Sequence, residues 1–91
     1  MIENVPRVLP ADCDAVFNMD AWEVPPIFKL IQKAGNIKDE EMFRVFNMGI
    51  GMVMVTTPSA VETVMAKLKK AGCKAKVVGR IAEGKGEVQL V

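Results

Sequence analysis

Prolines and glycines cut this chain into segments that each have room for one strand or one short helix. Pro6 and Pro10 bracket the opening, Pro25 and Pro26 stand together, and Pro58 stands alone; Gly35, Gly49, Gly51, Gly72, Gly84 and Gly86 fall between apolar runs. Proline fixes its own φ, lacks an N–H and biases its predecessor toward extended backbone. Glycine weakens the interior of a helix or strand and marks its end. With 91 residues there is length for one small domain, of a size that buries roughly two-thirds of its unfolded surface. Hydrophobic residues make up 51% of it, too many for a disordered segment. So short and apolar a chain is expected to turn some apolar surface toward something beyond its own core.

Between the breaks the periodicity is legible. Glu3 to Pro10 predicts a short turn of helix or a fixed loop. Ala15, Phe17 and Met19 alternate with Val16, Asn18 and Asp20, a strand ending near Trp22. Pro25 and Pro26 suit a first helical turn, Ile27, Phe28, Leu30, Ile31 and Ala34 form an apolar face, and Gly35 is placed to cap its end. Asn36 is a candidate N-cap for a second helix. Asp39, Glu40 and Glu41 complement its positive end, Met42, Phe43, Val45 and Phe46 supply its apolar side, and it should stop near Asn47. Ile50 to Thr56 is predicted as a buried strand because Met52 to Val55 are apolar without interruption.

The next helix starts at Thr57-Pro58 or at Ser59, where Ser59 and Glu62 have capping-box spacing. Val61, Val64, Met65 and Leu68 mark its inner face, and Gly72 ends it. Ala75, Val77, Gly79 and Ile81 share one side of a strand. Glu83-Gly84-Lys85-Gly86 is a turn, and Glu87 to Val91 should return as the second strand of a hairpin. The order β-α-α-β-α-β-β implies an α+β fold, a mixed β-sheet with helices packed on one side.

Charge and composition exclude several function classes. Twelve basic and eleven acidic residues leave a formal net charge of +1, one Trp and no Tyr. Nucleic-acid binding therefore lacks both a basic field and an aromatic platform. Lys67, Lys69, Lys70, Lys74 and Lys76 are a local exception, favourable near a helix C-terminus and read as a solvated face. The absence of His removes the usual zinc sets and any His-based triad, and Cys13 and Cys73 lack metal-binding spacing. Two reduced thiols suit a cytosolic protein. The longest apolar stretch, Met48 to Val55, falls far short of the ~20 residues of a membrane-spanning helix.

Few residues suggest chemistry on physical grounds. The stretch Phe46-Asn47-Met48-Gly49-Ile50-Gly51-Met52 places two glycines between a helix and an apolar segment. Their backbone can approach a ligand and offer N–H groups to an anion, or can simply make a tight turn. Asn4 and Arg7 sit in the proline-bracketed opening; Arg7 is a bidentate ligand for phosphate or carboxylate, or a surface partner of Glu3. Gly84-Lys85-Gly86 lacks the rest of a phosphate loop and is a turn. Trp22 stacks on a base or staples the following helix.

Three segments, in this order and at similar spacing, resemble the phosphoribosylformylglycinamidine cyclo-ligase family. They are Glu3-Asn4-Val5-Pro6-Arg7-Val8-Leu9-Pro10, Trp22-Glu23-Val24-Pro25-Pro26-Ile27-Phe28, and Glu40-Glu41-Met42-Phe43-Arg44-Val45-Phe46-Asn47-Met48-Gly49-Ile50-Gly51-Met52. Val78-Gly79-Arg80-Ile81 with the Glu-Gly-Lys-Gly-Glu turn is similar to the family's ending. The resemblance implies a part of the C-terminal domain of a cytosolic, homodimeric purine-biosynthesis ligase. That enzyme converts formylglycinamidine ribonucleotide and ATP to aminoimidazole ribonucleotide with Mg²⁺. It also implies that the ATP-binding N-terminal half lies outside residues 1–91, so this part alone should be inactive and carry no cofactor. Asn4, Arg7, Asn47, Gly49 and Gly51 are then expected to line or brace the substrate cleft; no catalytic acid or base is assigned. A free-standing ligand-sensing or interaction domain, with Ile50 to Val91 as half of a ferredoxin-like module, is the competing reading.

Overall fold

The structure is a computed structural model and describes residues 4–91. A mixed three-stranded sheet lies at its centre, built from β1 (Cys13–Phe17), β2 (Gly79–Glu83) and β3 (Val88–Leu90) in the order β2-β1-β3. β1 pairs antiparallel with β2 from Cys13↔Glu83 to Phe17↔Gly79, and parallel with β3 from Ala15↔Val88 to Phe17↔Leu90. Flanked on both edges, β1 buries Asp14, Ala15, Val16 and Phe17.

The expected hairpin is corrected here. β2 and β3 do not pair with each other; the turn between them arches over the start of β1 and delivers β3 to its far edge. The buried Asp14 carboxylate holds that arch. One oxygen accepts the N–H groups of Lys85 (2.7 Å) and Glu87 (2.9 Å), and the other accepts the Gln89 amide (2.8 Å). A side chain on Gly84 would collide with the same carboxylate, so the arch can lie this close only with glycine there.

Of the next two helices, the second packs against the sheet through Met42 and Phe43, and the first packs on the second. α1 (Pro26–Gly35) begins where the proline pair predicts, but its left-handed end is Asn36 at φ 50° and not Gly35. The N–H groups of Asn36 and Ile37 return to the carbonyls of Lys33 and Gln32, at 3.4 and 3.0 Å. Asn36 therefore closes α1 and does not cap the next helix, because a short polar side chain tolerates the left-handed region. α2 (Asp39–Val45) follows after Lys38, with its three acidic residues in the first turn. Met42 is fully buried and Phe43 nearly so. They join Val5, Ala15, Phe17 and Met48 in the core, with Phe28 and Phe46 packed at its edge.

The remaining segment behaves differently. The predicted strand at Ile50–Thr56 does not form: residues 51–57 belong to no helix and no ladder. Neither free edge of the sheet pairs with this segment, and Met52, Met54 and Val55 stay exposed. A 3-10 turn (Pro58–Ala60) then leads into α3 (Val61–Lys70), and no Ser59 capping box is made. α3 ends as expected at Gly72, φ 85°, with Cys73 N–H donating to the Leu68 carbonyl at 2.9 Å. The strand expected from Ala75 pairs only from Gly79 onward, because β1 ends at Phe17 opposite that residue. The observed order is β-α-α-α-β-β, and the sensing-module unit from Ile50 to Val91 lacks its first strand.

Candidate functional site

Two turns carry the residues singled out in the sequence. The first is a 3-10 turn, Val5–Val8, entered through Asn4. The Arg7 N–H donates to the Asn4 carbonyl at 3.3 Å, and Val5 anchors the turn in the core. Asn4 and Arg7 are both exposed, and among the described residues neither side chain has a hydrogen-bonding or charged partner. Proline at the second position of the turn holds them in place without using their polar groups. Pairing of Arg7 with Glu3 lies outside the described residues.

The second turn runs from Asn47 to Gly51. Asn47 is exposed, and its side-chain oxygen accepts the Gly49 N–H at 2.9 Å while its carbonyl accepts the Ile50 N–H at 3.0 Å. This local bonding occupies two N–H groups that an anion would need, so the glycines do not form an open anion nest. The Asn47 amide nitrogen is left pointing its donors elsewhere. Met48 is buried at φ 54°, a left-handed conformation that a non-glycine residue rarely adopts, and Gly49 follows at φ 94°. The Trp22 indole N–H holds the turn by donating to the Met48 carbonyl at 3.0 Å. Its ring also meets Phe43 edge-on, at 6.2 Å between centroids. A side chain on Gly49 would lie 2.5 Å from Pro25 Cδ. Trp22 and Pro25 thus clamp the Asn47–Gly51 turn; the indole is a staple, and the segment before α1 and the segment after α2 form one unit.

Beyond this unit opens a cleft of about 680 Å³. One wall is residues 49–56, the second is the inner face of α3 through Val64, Met65 and Leu68, and the third is residues 73–81. Gly49 and Gly51 lie on its rim with Val5 and Trp22. Asn4, Arg7 and Asn47 do not line it; the opening turn and the Asn47 turn are joined instead through Val5 and Met48 in the shared core. The structure therefore brings the two motifs to one side of the core but divides the five residues between the cleft rim and the outer surface. Gly51 has nothing within 4 Å of the position a side chain would take, so no packing within this chain explains a glycine there.

The electrostatics are local. Three hydrogen bonds, the Glu87 N–H first, then the Gln89 amide and the Lys85 N–H, hold the Asp14 carboxyl below the usual carboxylate range. Arg44 pairs with Glu41 one turn earlier on α2, which lowers the Glu41 carboxyl in the same way. Burial and the neighbouring Asp12 push the Cys13 thiol up, leaving it a poor nucleophile. The five clustered lysines are all exposed around the end of α3 and the segment after it. Among the described residues no group of three or more His, Cys, Asp or Glu is arranged to hold a metal ion. No described helix is long and apolar enough to cross a membrane. Asp14 had not been marked by sequence, and Trp22 had been marked only as a base-stacking ring or a staple for the following helix; their observed roles depend on partners 71 and 26 residues away.

A family model, AIR synthase related protein, C-terminal domain, matches residues 1–91. Proteins with the curated name phosphoribosylformylglycinamidine cyclo-ligase match throughout. That of Alkaliphilus oremlandii is 47% identical over 88 residues, covering 97% of this chain and 26% of the relative. That of Citrifermentans bemidjiense is 49% identical over 94 residues, covering 100% and 27%. That of Syntrophotalea carbinolica is 44% identical over 95 residues, again 100% and 27%. The chain spans about a quarter of the length of the curated relatives it matches.

Proposed function

The chain belongs to the family of AIR synthase related proteins as a C-terminal domain, and on that premise we propose that it forms part of a phosphoribosylformylglycinamidine cyclo-ligase. The reaction converts formylglycinamidine ribonucleotide and ATP to aminoimidazole ribonucleotide, ADP and phosphate. The observation that carries this reading is end-to-end identity of 44–49% to relatives of that name. The working form is a cytosolic homodimer of a longer chain whose N-terminal half completes the site.

Within that enzyme this part positions substrate. Arg7 binds the ribonucleotide phosphate, presented on the surface from a proline-stiffened turn. Asn4, one turn earlier, braces the same surface. Asn47 keeps its oxygen in the turn and offers its amide N–H donors outward, and Gly49 and Gly51 let backbone approach the bound ligand. Two of the carboxylates here are already engaged: both Asp14 oxygens accept hydrogen bonds and Glu41 pairs with Arg44. We assign ATP and Mg²⁺ mainly to the N-terminal half of the longer protein, with this part alone inactive.

The test is turnover of formylglycinamidine ribonucleotide with ATP and Mg²⁺, by this chain alone and by the longer protein that carries it. Turnover by the longer protein only is expected. A folded longer protein without turnover would reject the cyclo-ligase reading, and turnover by residues 1–91 alone would reject the division of the site. In the longer enzyme Asn47→Ala should lower kcat without unfolding it, and Arg7→Ala should raise KM for the ribonucleotide.

A further inference from the structure

We propose that the cleft between residues 51–57 and 73–78 receives a β-strand from the part of the longer polypeptide outside residues 1–91. The proposal rests on the cyclo-ligase reading for the source of that strand only. Its structural basis is independent of the reaction.

Both walls are backbone that belongs to no helix and no ladder. Among the described residues, 51–56 and 74–77 make no backbone–backbone hydrogen bond; the first bond beyond the cleft wall is Asn18 N–H to the Val78 carbonyl, at 2.8 Å. Backbone groups left in this state are normally paired in a finished fold, and an unpaired strand edge is a template for another strand. β2 continues the second wall and is bonded on one edge only, to β1. Its other edge is free, and Gly79, Arg80 and Ile81 are among the residues that line the cleft.

The chain order points to the same answer. An apolar segment, α3 and a second segment that runs on into β2 have the order of a crossover unit, and in the split form of that unit another strand lies between its two strands. α3 turns Val64, Met65 and Leu68 toward the cleft, which is how a crossover helix covers a sheet. Met52 is 83% exposed and Val77 57%, apolar groups that a neighbouring strand would cover. A cleft of about 680 Å³ has the capacity of a short strand with its side chains and is not a flat surface.

The occupant follows from length and charge. Roughly three-quarters of each matched relative lies outside the aligned part, ample chain to supply one strand. Lys74 and Lys76 line the cleft and Lys67, Lys69 and Lys70 stand in the last turn of the helix beside it, so the same lysine-rich region of a second copy is a poor occupant. Like charges placed together oppose that pairing.

Residue-level hydrogen–deuterium exchange on the longer protein tests this, against residues 1–91 alone over a concentration series. The expected result is exchange at least about 100-fold slower at 51–56 and 74–77 in the longer protein. In 74–77 the slowing should fall on alternate amides, as in a strand bonded along one edge. Equal rates in the two proteins would overturn the proposal, as would uniform protection of 74–77, which signals cover by an unrelated surface. Protection that appears in residues 1–91 alone and rises with concentration would assign the cleft to a second copy and overturn the stated source. Turnover is measured on the same preparation. Protection without turnover rejects the cyclo-ligase reading and keeps the strand; turnover without protection does the reverse.

Discussion

Met42 and Met54 both sit among apolar neighbours in the sequence, yet Met42 is 0% exposed and Met54 58%. The first belongs to a half of the molecule in which the opening turn, β1, α1, α2 and the Asn47–Gly51 turn share one core. The second belongs to a half, residues 51–78, whose helix packs mainly on the turn before it and whose other segments belong to no ladder. Hydrophobicity alone did not decide which residues became buried. The packed half has long-range partners inside residues 4–91: Trp22 for Met48, Asp14 for the β2–β3 arch, Val88 for Ala15. In the open half the same side-chain chemistry meets no backbone partner at 51–56 or 74–77, and the long-range bond from the Asn18 N–H comes only at Val78.

The largest expected effect separates the halves by stability. Met42→Ala should cost about 2–5 kcal/mol in urea unfolding of this chain, the range for emptying a packed core site. Met54→Ala should stay within about 0.5 kcal/mol. Comparable losses at the two positions would break the distinction.

A smaller contrast lies within one turn. Gly49→Ala forces a side chain into a left-handed conformation against Pro25 and should cost about 1–3 kcal/mol. Gly51→Ala meets open space and should leave stability of the isolated chain nearly unchanged. The same Gly51→Ala change in the longer enzyme should reduce turnover if backbone there approaches the ligand; kinetics and denaturation together separate the two roles.

The smallest effect at neutral pH, and one visible only in acid, concerns the sheet. The folded Asp14 carboxyl is held below its unfolded value, so its contribution is fully present above the unfolded range of about 4. That contribution is lost as pH falls through the lower folded value. Thermal melts from pH 7 to pH 2 should show this loss, and Asp14→Asn should flatten the acid slope. An unchanged slope would remove Asp14 from the account of how β3 is held.

Features governed by nearby residues were legible in the sequence. Pro25-Pro26 marked the start of α1, three successive acidic residues marked the start of α2, and Gly72 marked the end of α3. The family resemblance was also legible, carried by the Asn-Val-Pro-Arg and Phe-Asn-Met-Gly segments together. Features that depend on distant partners were not. Short turns usually join paired strands, so Gly84-Lys85-Gly86 suggested a hairpin; only the carboxylate of Asp14, 71 residues from Lys85, sends the chain across β1. Met52 to Val55 had the composition of a buried strand, but burial needs a surface to face. Of the candidate site, the tight Asn47–Gly51 turn was foreseen. Its clamp by Trp22 and Pro25, and the occupation of its N–H groups by Asn47, required the fold.

The division of the molecule into a closed and an open half is tested most directly by amide exchange of residues 1–91 alone, followed residue by residue by NMR. The account predicts two classes: slow exchange for Val16, Phe17, Phe46 and Val91, whose N–H groups are bonded in the packed half, and rates near those of an unstructured peptide at 52–55 and 74–77. Protection at 52–55 equal to that of β1, independent of protein concentration, would contradict it.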